Sequence, residues 1–458
     1  MVTRLSSSAF PFTALLLAVV VFASSATAAA PEISLEQEAT QAYREAEYEK
    51  VLKLWNSRAA DVPASKVLLR VALQSHLKLG HTEEALALYD RLVSGDQPDE
   101  FPLLRSLALS TLTTHVRDPK EYVRIAAYSA LAELGLAETR SILEDGLLDS
   151  SPLVRARAVE GLGHAGLASK SDALRRALRD DMPPVRIAAM NVLSEGGVDD
   201  IIPRLVEVAR TEDGPEGVFA YVALYRLGKQ DMLRDITGAA TLPDPETRMA
   251  ALGALGKLKR PSSLAVLSQG VYDPEPSVRA FAAGALGEFG QPGAVAPLTH
   301  AIGDEHARVR GVAAVSLGRL GIRETRPLLL QLTRDASMQV RASAVEGLLR
   351  LGDASAILIA TDLARHPDPS VRAATAQALG MTTDKQGITI LQALLQDQQP
   401  QPRLFAAKAL GKTKPPPFAL LKKGLHDSDS AVRITAAGSL LQQIDRHNKS
   451  TASKGRKG

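Results

Sequence analysis

The chain contains no cysteine. That excludes disulfides, thiolate metal sites, a cysteine nucleophile and a lipidated N-terminal cysteine, while remaining compatible with an oxidising compartment. Aromatic residues are also scarce, at 4%, so whatever this chain packs, it packs mainly through alanine and leucine. Neither sign of charge is in excess. Lys and Arg number 54 against 51 Asp and Glu, a net +3 over 458 residues, too even a balance to make nucleic acid or an anionic membrane the default partner. The sequence has no P-loop, no Gly-x-Ser-x-Gly and no dinucleotide fingerprint. Beyond the N-terminus no run is long and apolar enough to span a bilayer, which takes about 20 residues.

The N-terminus itself reads as an address. Arg4 supplies a positive start, Phe10 to Ala23 is an apolar run, and Ala26-Thr27-Ala28 is a small-x-small cleavage site. This pattern predicts a secretory signal peptide over 1–28, cut after Ala28, and a periplasmic or secreted mature chain. An uncleaved N-terminal anchor is the alternative.

What the chain has in abundance is a period. Arg124, Arg155, Arg186, Arg248, Arg279, Arg310, Arg341, Arg372 and Arg403 stand on a grid of 31 residues, which misses once at Gly217 and slips by one to Arg433. A fixed period of this size means stacked structural repeats. Three residues after each grid point comes Ala, with Thr375 as the exception; seven after comes Leu in all eleven copies, from Leu131 to Leu440. That spacing puts both on one helix face, the small residue admitting a neighbouring helix and the large one filling the gap. A second apolar position twelve before the grid point (Leu143, Leu174, Leu205, Leu267, Leu298, Leu329, Leu391) belongs to a preceding helix. Each repeat is therefore a helix–turn–helix. Pro152, Pro183, Pro245, Pro276, Pro369 and Pro400 suit the first turn of the second helix, Ser151, Asp244 and Asp368 suit its N-cap, and glycines such as Gly135 and Gly321 suit its left-handed end.

The most insistent phrase is acidic and basic together. Asp118, Asp149, Asp180, Asp273, Asp304, Asp335, Asp397 and Asp427 each lie six before a grid point; the turns with Thr211, Leu242 and His366 at that place carry Asp213, Asp244 and Asp368 instead. A file of arginines one repeat apart, about 10 Å, repels itself unless compensated. The phrase is expected to build a structural ladder of Asp118, Arg124, Asp149, Arg155, Asp180, Arg186, Asp273, Arg279, Asp304, Arg310, Asp335, Arg341, Arg372, Asp397, Arg403, Asp427 and Arg433, each Asp accepting from its own turn and from a nearby Arg. Binding sites are local and this phrase is everywhere, so it is assigned to the scaffold.

The pattern Asp, Val-Arg, Ala, Leu-Gly over residues 101–446 resembles the HEAT repeat, above all the short subclass of phycobilisome lyase subunits. The resemblance implies an all-α, right-handed superhelical α-solenoid of about eleven repeats. Upstream, over 35–99, Val51 and Ala85, Leu54 and Leu88, and Trp55 and Tyr89 are each 34 residues apart. With Ala72, Leu79-Gly80 and Pro98 they resemble tetratricopeptide repeats, and two such units imply a small helical cap on the solenoid. The tail, 447–458, is polar and basic and is expected to be disordered.

The same resemblance puts the second helices on the concave surface. Outward positions five and nine after the grid point would line it: Glu133, Glu160, Glu195, Arg226, Lys257, Arg319, Arg350, Lys408 and Lys412 are the candidate partner-binding residues. Read in order they form a polarised groove, acidic early and basic late. Phe219, Phe281 and Phe405 are candidate anchors, with core packing as their ordinary use. HEAT-repeat proteins include deoxyhypusine hydroxylase, whose iron site uses His-Glu pairs. This sequence has no His-Glu dipeptide, only Glu305-His306, and its nine histidines fall at unrelated repeat positions. No metal, no cofactor and no catalytic residue is expected. The reading is an exported, non-enzymatic scaffold for a protein or peptide. An assembly accessory of the phycobilisome-lyase type is second and an iron hydroxylase third.

Overall fold

The computed structural model describes residues 34–57, 65–93 and 99–455, with the side chains of 452–455 excepted. The expected signal peptide, 1–28, lies outside the described residues, as do Pro98 and 456–458. Among the described residues every regular element is helical.

The grid governs the architecture. Eleven helix pairs follow one another, from Phe101–His115 with Glu121–Leu134 (repeat 1) to Phe418–Gly424 with Ser430–Gly455 (repeat 11). The expected turn chemistry forms. Ser151, Asp244 and Asp368 accept from Val154, Thr247 and Ser370 backbone N–H groups and cap their helices. Chain reversal after the second helix uses left-handed glycines at 135, 166, 197, 228, 290, 321 and 352, while Lys259 takes the same position in repeat 5 with φ 52°. The grid Leu residues are 0–2% exposed in all eleven repeats, and one continuous apolar core runs through the whole stack. Close approach of the second helices needs residues without a side chain. A Cβ at Gly318 would lie 2.4 Å from Gly347 Cα.

Repeat 4 departs from the pattern for a local steric reason. Where the grid requires Arg, Gly217 packs on the Glu212 carbonyl oxygen, which a Cβ would meet at 2.2 Å. Neighbouring Glu216 is buried.

The four helices Leu35–Arg44, Tyr48–Ser57, Lys66–Leu79 and Thr82–Leu92 precede the solenoid. The second pair shares the solenoid core through Leu73, Ala85, Tyr89 and Leu92. The first pair has its own small core around Ala39, Ala42 and Val51.

One feature was not foreseen: the solenoid closes. The second helices pack side by side from repeat 1 to repeat 11, and the second helix of repeat 11 packs in turn on both helices of repeat 1. Outer first helices contact each other far less, so the second helices form the inner wall of a ring. The seam is built from residues about 300 positions apart. The Phe101 ring meets those of Phe418 and His447 in tilted contacts, each with centroids 4.9 Å apart. Glu133 pairs with Lys408 at 3.1 Å, Asp90 with His426 at 3.0 Å, Asp99 with Lys422, and Arg105 with Asp445 at 3.5 Å. The last helix runs on to Gly455, past the boundary expected at 446, and the expected disorder is met by helix as far as the residues are described; 456–458 lie outside them.

Candidate functional site

Two surfaces concentrate the charged groups, the ladder on the turn rim and the inner wall. On the ladder, eight of the ten grid arginines reach forward to the next repeat. Arg124 Nε and Nη2 donate to both carboxylate oxygens of Asp149 at 2.8 and 3.0 Å, while Nη1 donates to the Asp118 carbonyl of its own turn. The same fork joins Arg155 to Asp180, Arg248 to Asp273, Arg279 to Asp304, Arg310 to Asp335, Arg372 to Asp397 and Arg403 to Asp427. Each of these Asp residues also accepts from the N–H two residues on, as Asp335 does from Ser337. So each carboxylate closes its own turn and bolts it to the previous repeat. Bidentate guanidinium–carboxylate pairs are among the stronger and most directional of such contacts.

Burial alone would push the carboxyls of Asp149, Asp180, Asp304 and Asp397 up. The arginine fork and the turn N–H outweigh that and hold all four below the usual carboxylate range. At Asp335 the Arg310 hydrogen bond is itself the largest influence, again downward.

The expected ladder needs correction at four places. Arg186 finds Thr211 where Asp should be, and forks instead onto Glu216. Asp118 precedes every grid arginine, so it only caps Lys120 N–H. Arg341 and Arg433 reach no carboxylate among the described residues. Arg433, with no later turn to hold, meets His115 Nε2 across the seam at 3.3 Å. The missing Arg at Gly217 costs nothing in charge balance, because Leu242 replaces the Asp it would have held. Those two positions are 25 apart, the same separation as six of the seven Arg–Asp rungs. That coincidence was available in the sequence.

On the inner wall the polarised groove takes a different form. The early acids and late bases come together at the seam, where Glu133 meets Lys408 beside a cavity of about 240 Å³ also lined by Lys412 and Gln442. Elsewhere neighbours pair: Glu160 with Arg157 at 2.6 Å, Glu195 with Arg226 at 3.0 Å, Glu288 with Arg319 at 3.4 Å, and Glu346 with Arg350 at 2.8 Å. Of the candidate partner-binding residues, Lys257 and Lys412 alone form no ion pair among the described residues, and both are exposed. Arg157 and Glu288, absent from the expected set, belong to this wall. Phe219 and Phe405 pack against the core, as aromatics at helical spacing ordinarily do. Phe281 is 45% exposed and lies over Gly253. Among the described residues no group of three or more His, Asp or Glu could hold a metal ion.

Comparison with known proteins agrees with the architecture. The family described as HEAT repeats matches residues 146–220, 266–337 and 325–403. A 68-residue stretch is 35% identical to the rhomboid protease GluP of Bacillus subtilis; it spans 15% of this chain and 13% of that protein. Among solved structures, the complex of CpcE and CpcF of phycocyanin lyase from Nostoc is 22% identical, over 45% of this chain and 94% of that one, with a TM-score of 0.34. Human deoxyhypusine hydroxylase is 21% identical, over 54% and 96%, with a TM-score of 0.26. Likeness at this level concerns the repeat and carries no functional argument.

Proposed function

We propose that this chain, which matches HEAT repeats over 146–220, 266–337 and 325–403, is an exported, non-enzymatic interaction scaffold that holds a protein or peptide segment against the inner wall of its ring. The observation that carries this reading is the wall itself, an unbroken circle of eleven second helices locked by a rim of bidentate ion pairs. Eleven helices spaced by about 8–10 Å leave a clear opening on the order of 20 Å, enough for one helix or an extended segment. Such a wall is ordered before it binds, so little entropy is lost on association. Export is supported by the N-terminal pattern of charge, apolar run and small-x-small site.

Lys257, Lys412 and Phe281 are exposed wall residues that could meet a partner without breaking an internal ion pair. The test is affinity capture from periplasmic extract with the intact chain and with a Lys257→Glu, Lys412→Glu, Phe281→Ala variant. Loss of a saturable partner in the variant supports the reading; undiminished recovery rules the wall out. Intact-mass measurement of the exported chain separately tests cleavage after Ala28.

A further inference from the structure

The ladder contains one rung whose acceptor has been replaced. Arg341 stands on the grid like the others, but the following turn carries His366 where Asp belongs. His366 performs half of the Asp role. Its Nδ1 accepts the Asp368 N–H at 3.1 Å, which places the ring proton on Nε2 and leaves the ring a donor. It cannot accept a guanidinium fork from that side. The nearest carboxylate of its own turn, Asp335, is already taken by Arg310 at 2.8 and 2.9 Å.

Arg341 responds by turning. At the complete rungs Nη1 bonds the carbonyl of the arginine's own turn, leaving Nε and Nη2 to the next carboxylate. At Arg341 it is Nε that donates to the Asp335 carbonyl, at 2.5 Å. Neither Nη has a hydrogen-bond partner among the described residues. The guanidinium lines a cleft of about 1060 Å³ between the outer helices of repeats 8 and 9. Arg334 adds a second positive charge, and Leu330, Leu358 and Ile359 supply apolar wall. Leu358 is 67% exposed. Asp335, held by Arg310, and Asp362 complete the charged lining. Comparable clefts elsewhere on the rim also contain ladder residues, Asp180 in one and Arg248 with Asp273 in another. There the arginine and the carboxylate engage each other. Between repeats 8 and 9 the grid arginine lines the cleft with both Nη groups unused among the described residues.

We propose that this cleft binds a carboxylate carried on an apolar group, the carboxylate accepting end-on from Nη1 and Nη2 of Arg341 while Nε stays on the Asp335 carbonyl. The site is on the outer rim and does not depend on the scaffold reading of the inner wall. Its ligand class follows from geometry, since a planar guanidinium fork matches a carboxylate in two parallel bonds, and the apolar wall selects what the carboxylate is attached to.

The experiment is calorimetric titration of the full chain with N-acetyl-leucyl-leucine and, separately, with its C-terminal amide. Binding of the acid at least about tenfold tighter than the amide is expected, the loss of a charge-assisted fork being of that order. Arg341→Gln should abolish that preference. His366→Asp should abolish it too, by completing the rung internally, while raising the urea midpoint, which shows that the variant is folded. Equal binding of acid and amide, no binding of either, or an acid preference retained in His366→Asp would each overturn the proposal. Inorganic phosphate competing as well as the acid would overturn the assignment to a carboxylate.

Discussion

At the residue scale, the ladder shows how one side chain serves two turns. Asp335 caps its own turn through the Ser337 N–H and receives the Arg310 fork from the repeat before. Its folded-state pKa is lowered, so the charged form is favoured by folding. The stabilisation is complete above the ordinary Asp value of about 3.9 and falls away as pH drops through the lowered one. Asp149, Asp180, Asp304 and Asp397 shift the same way, so acid should loosen many rungs together. Asp335→Asn keeps the cap and removes the charge. It is expected to lower stability by about 2 kcal/mol at neutral pH, with the difference shrinking below about pH 4, as followed by urea unfolding across pH. A difference that persists undiminished in acid would assign the loss to packing. The grid spacing made Asp and Arg visible as partners. Glu216 in the Asp role was not visible, because the substitute comes from a different turn position and depends on Gly217 lying against the Glu212 carbonyl.

At the scale of the helix, alternating Leu and small residues decide how closely repeats stack. Gly318 and Gly284 sit in second helices of adjacent repeats, yet their surroundings differ. A Cβ at Gly318 would strike the Gly347 backbone at 2.4 Å; one at Gly284 meets only Val312 Cγ1, at 3.5 Å. Alanine is the better helix former by about 1 kcal/mol, but overpacking costs about 1–3 kcal/mol. Gly318→Ala should therefore destabilise and Gly284→Ala should stabilise, a contrast of sign that thermal denaturation of the two variants would read directly. The sequence shows both as glycines in helices; only the neighbour's position separates them.

At the scale of the whole molecule, closure of the ring is the new element. It rests on contacts between residues hundreds of positions apart, each weak by itself, such as the exposed Glu133–Lys408 pair. Collectively they are accompanied by an apolar seam around Phe101, Phe418 and His447. The absence of cysteine makes closure directly testable. A Cβ at Gly438 would lie 3.4 Å from that of Ala130, close to the separation of about 3.5–4.5 Å that a disulfide spans. Ala130→Cys with Gly438→Cys should form one intramolecular disulfide in dilute oxidising solution, seen as a mobility shift on non-reducing gels, and neither single variant should. A pair that stays reduced would show that the seam is open in solution.

The repeat count, helix order, caps, left-handed turns and core positions were all legible in the linear sequence, because each depends on residues within about one 31-residue period. Local chemistry repeats, so eleven copies reinforce one reading. The partners of the charged groups were legible only where the period held. That each Asp would meet a nearby Arg followed from it, whereas the forward direction of Arg124 to Asp149, the pairing of Arg186 with Glu216 and of Arg433 with His115, and the unused Nη groups of Arg341 did not. The curvature that brings repeat 11 onto repeat 1 was not legible at all. It is the sum of eleven small rotations, each set by how deeply one side chain seats against the next helix, and a sequence records which side chains meet but not the angle at which they do.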